Sequence, residues 1–187
     1  MILAFHSIFT TYGTWLPNEP RGSWSTFVAS WELYRFGKAT TVNTRRSVAA
    51  NTYDRNTKTQ MQRVLKYPPV RFTGNQARTV AMAFTETPYT LHAVAVMPSH
   101  VHMVLGYTRR DIRRAIGHIK SQATRALRTQ GWFAAQSPWT DHGWNVYLNT
   151  DHDVQRAIDY VYENPLREGL RQQRWSFITP YAPASAM

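Results

Sequence analysis

Residues 93–105 read AVAVMPSHVHMVL, two apolar runs on either side of Pro98-Ser99. Extended outward they become 90–97 (TLHAVAVM) and 100–107 (HVHMVLGY), which predict two antiparallel strands joined by a tight turn. In a strand, side chains two apart share a face, so His100 and His102 project to one side and Val101 and Met103 to the other. Two imidazoles at that spacing can share one divalent ion, although such pairs also occur in structural settings and in unrelated metal enzymes.

Outward from this hairpin the chain alternates elements of both kinds. Residues 2–12 are apolar and β-branched and run into Tyr12-Gly13, so they read as a first strand. Ala77, Val80, Ala81 and Phe84 recur at helical spacing between Thr73 and Thr87, and Pro88 closes that helix. Thr108 and Asp111 look like a cap, after which Ile112, Ile116, Ile119, Ala123 and Leu127 form one stripe of a helix from about 109 to 129. Its other face is read as basic, with Arg110, Arg113, Arg114, Lys120, Ser121, Arg125 and Arg128. Such a face is often simply solvated, but directly after a metal-competent strand it is expected to contact backbone phosphate. Trp139 to Leu148 reads as a further strand. Thr150 and Asp153 cap a short helix to Glu163, which Asn164-Pro165 is expected to end, and the tail reads as irregular packing with an edge strand. Residues 13–69 show no sustained period and are expected to be a loop-rich insertion, with a short apolar patch around Trp24 to Phe36. The whole is expected to be a single domain over residues 1–187, with the insertion at about 13–70.

The 187 residues suffice for one core, since a chain near this size buries roughly 70% of its unfolded surface. With 22 Lys and Arg against 11 Asp and Glu, the formal charge is +11, carried mostly by arginine, whose planar fork grips phosphate oxygens in pairs. Nucleic acid is therefore the expected partner, and a 13% aromatic content supplies rings on which bases stack. The chain has no cysteine, which excludes disulfides and thiolate zinc sites. No basic leader with a long apolar stretch opens the sequence and no run is long enough to span a bilayer, so a soluble, cytoplasmic, nucleoid-associated protein without membrane contact is expected.

On a helix beginning near Asp151, Val154, Ala157, Ile158 and Val161 form an apolar stripe, and Tyr160 and Asn164 lie one turn apart on a flanking face. Those two side chains can reach one point in space, whereas Tyr162 projects elsewhere. His6, on the first strand, is the remaining histidine best placed to orient a ligand; His92, His118, His142 and His152 read as structural or surface residues.

The hairpin run closely resembles the strand-turn-strand signature of the HUH single-tyrosine transposases, particularly the branch associated with repetitive extragenic palindromes. That signature is an apolar strand, Met-Pro-Asn, His-apolar-His and an apolar strand; here Ser99 stands where Asn is usual, in a turn position either residue occupies. AIDYVYENPLREGL, at 157–170, resembles the same branch's downstream Tyr, Asn-Pro and Gly-Leu motif. The resemblance covers roughly 75–180 well and the first strand loosely.

This resemblance implies an α+β fold of the ferredoxin-like, HUH endonuclease type: a central antiparallel sheet of four to five strands with packed helices, the two motif strands adjacent near its centre. It also implies that His100, His102 and Asn164 hold Mg2+ or Mn2+ and that Tyr160 is the nucleophile. Arg110, Arg113, Arg114, Lys120 and Arg125 are expected to bind DNA. The implied reaction is cleavage of hairpin-flanked single-stranded DNA through a 5'-phosphotyrosine, with the 3'-hydroxyl left free for rejoining. Imidazole ligands favour Mn2+ over Mg2+ in vitro. Whether Tyr160 serves its own chain or a partner in a homodimer stays open. The alternatives are a rolling-circle initiator or relaxase-like nickase, a non-catalytic hairpin-binding protein, and a zinc hydrolase, for which no carboxylate is expected near the histidine pair.

Overall fold

The computed structural model describes residues 1–14, 16, 33, 35–36 and 55–183. They belong to two compact units, Met1–Thr10 with Arg71–Met187, and Thr11–Val70. The apolar patch expected around Trp24 to Phe36 falls largely outside the described residues.

The larger unit is built on a four-stranded sheet of order β2-β3-β1-β4, with β1 at Ala4–Thr11, β2 at Leu91–Val96, β3 at His100–Gly106 and β4 at Trp139–Leu148. β3 runs antiparallel to both β1 and β2. Contacts between Ser7 and Asn145 and between Thr10 and Thr140 run in opposite order along β1 and β4, so that pair is antiparallel as well. The α+β architecture is thus as expected. All seven residues of β3 are buried, which is why its sequence is a continuous apolar run: the strand is covered on both faces.

The hairpin turn closes with the Met97 amide donating to the His100 carbonyl at 2.8 Å. β2, however, lies at the sheet edge and not near its centre. It shares the apolar signature of a central strand because the tail covers its free side. The Gln173 amide both donates to and accepts from the Val96 backbone at 2.8 Å, Trp175 Nε1 donates to Val94 O, and the Thr179 amide donates to Leu91 O. These side chains satisfy an edge that would otherwise template another strand. The edge strand expected in the tail is absent among the described residues.

Three helices pack on this sheet. Helix α2 (Gly74–Ala83) opens with a capping box between Thr73 and Gln76 and runs into a 3-10 turn at Phe84–Glu86. Helix α3 (Ile112–Thr129) begins three residues later than expected, because Asp111 is the cap and accepts from the Arg114 amide, while Thr108 accepts from the Arg110 amide ahead of the helix. Helix α4 spans Asp151–Arg167 and is capped by Thr150. Its stripe of Val154, Ala157, Ile158 and Val161 packs with Ala93, Ala95, Met97 and Val104 in one core cluster. Each buried Val or Ile there contributes about 1.5–3 kcal/mol.

Asn164-Pro165 does not end α4, as the sequence reading expected. Pro165 sits inside the helix, although it has no amide to donate to the carbonyl four residues back. The helix ends at Gly169, whose φ of +71° permits a Schellman closure: the Leu170 amide donates to Pro165 O at 2.8 Å and the Gly169 amide to Leu166 O at 3.0 Å. One further turn of helix is gained, and with it Arg167 and Glu168 are brought beside the site described below.

The smaller unit contains helix α1 (Arg55–Arg63), whose only buried residue is Met61. Met61 clusters with Leu16 and Leu33. A helix with one buried side chain leaves no hydrophobic period to read. Gly13, at φ +74°, lies so close to Leu65 and Pro69 that a Cβ would meet them at 2.9–3.0 Å. No helix among the described residues is long and apolar enough to cross a membrane.

Candidate active site

The register fixes which side chains share a face. His100 pairs with Thr10, His102 with Ile8 and Val104 with His6, and Val104 belongs to the cluster under α4. The histidines therefore face α4. Phe9, which pairs with Val101 on the other face, lies under the Lys120 ammonium of α3 and against Trp139. The sheet thus separates α3 from the histidines.

On the α4 face three imidazoles converge. His6 Nε2 and His102 Nδ1 are 3.3 Å apart, one donating to the other. The His100 and His102 ring centroids are 4.8 Å apart and nearly perpendicular. Ser99 Oγ lies 3.2 Å from His100 Nδ1, so the residue that departs from the family's usual Asn steadies the ring and leaves Nε2 turned the other way, toward Glu168 Oε1 at 3.8 Å. The expectation that no carboxylate approaches the pair is corrected by this contact. His6, the histidine expected to orient a ligand, lies within hydrogen-bond distance of His102 Nδ1.

Burial dominates the electrostatics. It pulls the His6 pKa down to about 4. His102 falls to about 2, first through burial and then through the neighbouring His100 and His6. Both rings are therefore neutral near pH 7, the form whose lone pair binds a cation.

Helix α4 contributes the remaining parts. Tyr160, 36% exposed, sets its ring against both imidazoles, with centroids 5.6 Å from His6 and 5.5 Å from His102. The Arg167 guanidinium lies 5.2 Å over the Tyr160 ring and bonds Glu163 at 2.7 Å. Tyr162 instead packs against the core cluster. Asn164, one turn beyond Tyr160, is buried, and its Oδ1 has no hydrogen-bond partner among the described residues. A buried amide oxygen without a partner is costly unless something outside the chain completes it.

That oxygen and the His100 and His102 imidazoles on the facing strand are donors suited to a divalent cation. Among the described residues no group of three or more His, Asp or Glu could hold an ion. His100, His102 and Asn164 are the residues that would hold it.

The expected DNA-binding residues divide. Arg113, Arg114 and Arg125 are exposed on α3, and Arg110 is exposed ahead of it with its guanidinium donating to Tyr89 Oη. Arg113, Arg114 and Arg125 belong to the helix on the far side of the sheet from the histidines. Lys120 is a correction: it is buried, four residues after Ile116 and three before Ala123, and so lies on the apolar stripe. Its Nζ donates to Thr140 O at 2.8 Å, and burial lowers its pKa to about 8 despite the opposing pull of Asp141. It is not available to phosphate. Arg167, Glu168 and Ser99 are the site residues that the sequence reading missed; Gly169, five residues past Asn164, was the signal that the helix continued.

Two curated proteins similar to this chain are described as tyrosine transposases. The "REP-associated tyrosine transposase" of Escherichia coli K12 is 26% identical over 98 residues, and the "Putative REP-associated tyrosine transposase" of Haemophilus influenzae is 25% identical over 92. These matches take in 50% and 44% of this chain. The chain spans about half the length of the curated relatives it matches, 56% and 52%. A solved structure of a REP-associated tyrosine transposase bound to a REP hairpin aligns at 18% identity with a TM-score of 0.45, covering 94% of this chain and 74% of that one. That superposition is too loose to bear on the site. No protein-family model matches the chain.

Proposed function

We propose that the chain is a metal-dependent single-stranded DNA strand transferase that cleaves hairpin-flanked DNA through a 5'-phosphotyrosine on Tyr160. The observation that carries the reading is an accessible tyrosine ring set against the histidines on the face of the sheet under α4, with a buried amide oxygen one turn along the same helix that no described residue completes. His100, His102 and Asn164 hold Mg2+ or Mn2+. When bound, the cation polarises the scissile phosphate and offsets charge that develops in the displacement.

The chain's own residues do the rest. The Tyr160 oxygen attacks phosphorus and gives up its proton to solvent, the bond from phosphorus to the 3'-oxygen breaks, and that oxygen leaves to become a 3'-hydroxyl. Arg167 supplies positive charge beside the new phosphodiester. The bond's energy is retained in the tyrosyl ester, so a second 3'-hydroxyl can rejoin the strand. His6 and Ser99 orient the ligand rings through their Nδ1 atoms. The hairpin requirement rests on the motif resemblance, and the charge excess supports the DNA partner. Such work belongs to the cytoplasm, at the nucleoid.

The test is to incubate the protein with labelled single-stranded hairpin DNA from beside its own gene. A covalent adduct on a denaturing gel that requires Mn2+ and is stronger with Mn2+ than with Mg2+ is expected. An adduct indifferent to chelation would remove the metal from the account.

A further inference from the structure

Strand β4 carries a feature the catalytic reading leaves unused. Asn145 Oδ1 accepts from the Ser7 hydroxyl at 2.6 Å, and Ser7 pairs with Met103 on the face away from the histidines. By alternation Trp144 and Val146 project onto the histidine face, as does Leu148, which packs in the cluster under α4. With Asn145 opposite Ser7, Trp144 stands beside Ile8, and Ile8 pairs with His102. One row across the sheet therefore runs His102, Ile8, Trp144, which puts the tryptophan about 10 Å from the histidine strand, two strand spacings away. The next row runs Val104, His6, Val146.

Trp144 and Val146 are each 37% exposed. Their position is set by Gly143, where a Cβ would meet Ile8 O at 2.7 Å, so only glycine lets the backbone of β4 approach β1 this closely. Arg167 lies over Tyr160, on the same side of the sheet. A flat aromatic surface in the same row as the proposed metal strand, in a chain of net charge +11, is complementary to a base whose phosphate lies at the tyrosine.

We propose that Trp144, flanked by Val146, is the stacking platform for a base within two nucleotides of the scissile phosphate, and so a specificity-determining position for the single strand. The proposal rests on the strand-transfer reading above. It adds a base subsite to a site whose other groups address phosphate.

The test measures adduct formation against DNA concentration for the wild type, Trp144→Ala and Trp144→Phe, using strands in which one base at a time across the cleavage junction is abasic. Trp144→Ala is expected to raise KM about tenfold, the order of one lost base–aromatic stack, while kcat changes little; Trp144→Phe retains most of the binding. One abasic position should weaken the wild type to the same extent and cost Trp144→Ala nothing further. The rise in Tm on adding Mn2+ should be unchanged in Trp144→Ala, which separates a stacking loss from a misfolded site. Losses from Trp144→Ala and from every abasic position that simply add would overturn the platform and leave the strand-transfer reading standing. An unchanged KM, or a Trp144→Ala defect explained by a changed oligomeric state, would do the same. A wild type that forms no adduct overturns both.

Discussion

On the face under α4 the sheet carries three histidines and meets a buried amide oxygen that no group among the described residues completes. The face under α2 and α3 carries Phe5, Phe9 and Met103 and meets Lys120, whose ammonium donates to the Thr140 carbonyl at 2.8 Å. Both faces bury a strongly polar group, and they differ in where its partner lies. Lys120 finds its partner inside the fold and is part of the architecture. Asn164 Oδ1 does not, and a fold tolerates such an atom where an external group supplies what is missing. Exposed arginines stand on both sides: those of α3 on the architectural side, and Arg167 over Tyr160 on the other.

The largest expected effect breaks the symmetry between the two nearby tyrosines. Tyr160→Phe should abolish the adduct, whereas Tyr162→Phe should keep it and instead lower Tm, since Tyr162 packs on the core; the two are read on one denaturing gel and one melting curve. Next, Asn164→Ala should lose the rise in Tm that Mn2+ gives the wild type. Its metal-free stability should fall by less than about 1 kcal/mol, because the oxygen has no hydrogen bond to lose. A large metal-free loss with the Mn2+ response intact would make Asn164 a structural residue like Lys120.

Changes on the other face should be smaller and of another kind. Replacing Arg113 and Arg114 together by Ala should weaken DNA binding uniformly across sequences. It should flatten the dependence of log affinity on log salt by about 1.4, roughly 0.7 per lost phosphate contact on a single strand. An unchanged slope would mean these arginines are merely solvated. Lys120→Met should alter only stability and its pH dependence. Burial lowers the folded-state pKa from 10.5 to about 8, so between those values the unfolded chain binds more proton and wild-type stability rises with pH. The urea midpoint of the wild type relative to Lys120→Met should climb across that window and level off above it.

Much of this comparison was legible before any coordinates. The β2-β3 hairpin, the shared face of His100 and His102, and the i, i+4 pairing of Tyr160 with Asn164 follow from the periods of strand and helix alone. What was misread had particular causes. Lys120 was assigned by its charge, although its place four residues after Ile116 put it on the buried stripe. Pro165 was taken as a stop, although the closing geometry belongs to Gly169, so Arg167 and Glu168 were missed. β2 resembled a central strand because tail side chains with no strand pattern of their own satisfy its edge. The opposition of α3 to the histidines could not be read along the chain, because the side of a sheet to which a connecting helix crosses is a tertiary choice.

The most direct measurement is mass-spectrometric mapping of the protein–DNA adduct formed with Mn2+. Trypsin should release the modified peptide 157–167, and fragmentation should put the nucleotide on Tyr160. A nucleotide on Tyr162, or on any tyrosine outside α4, would contradict the assignment of the chemistry to the histidine face.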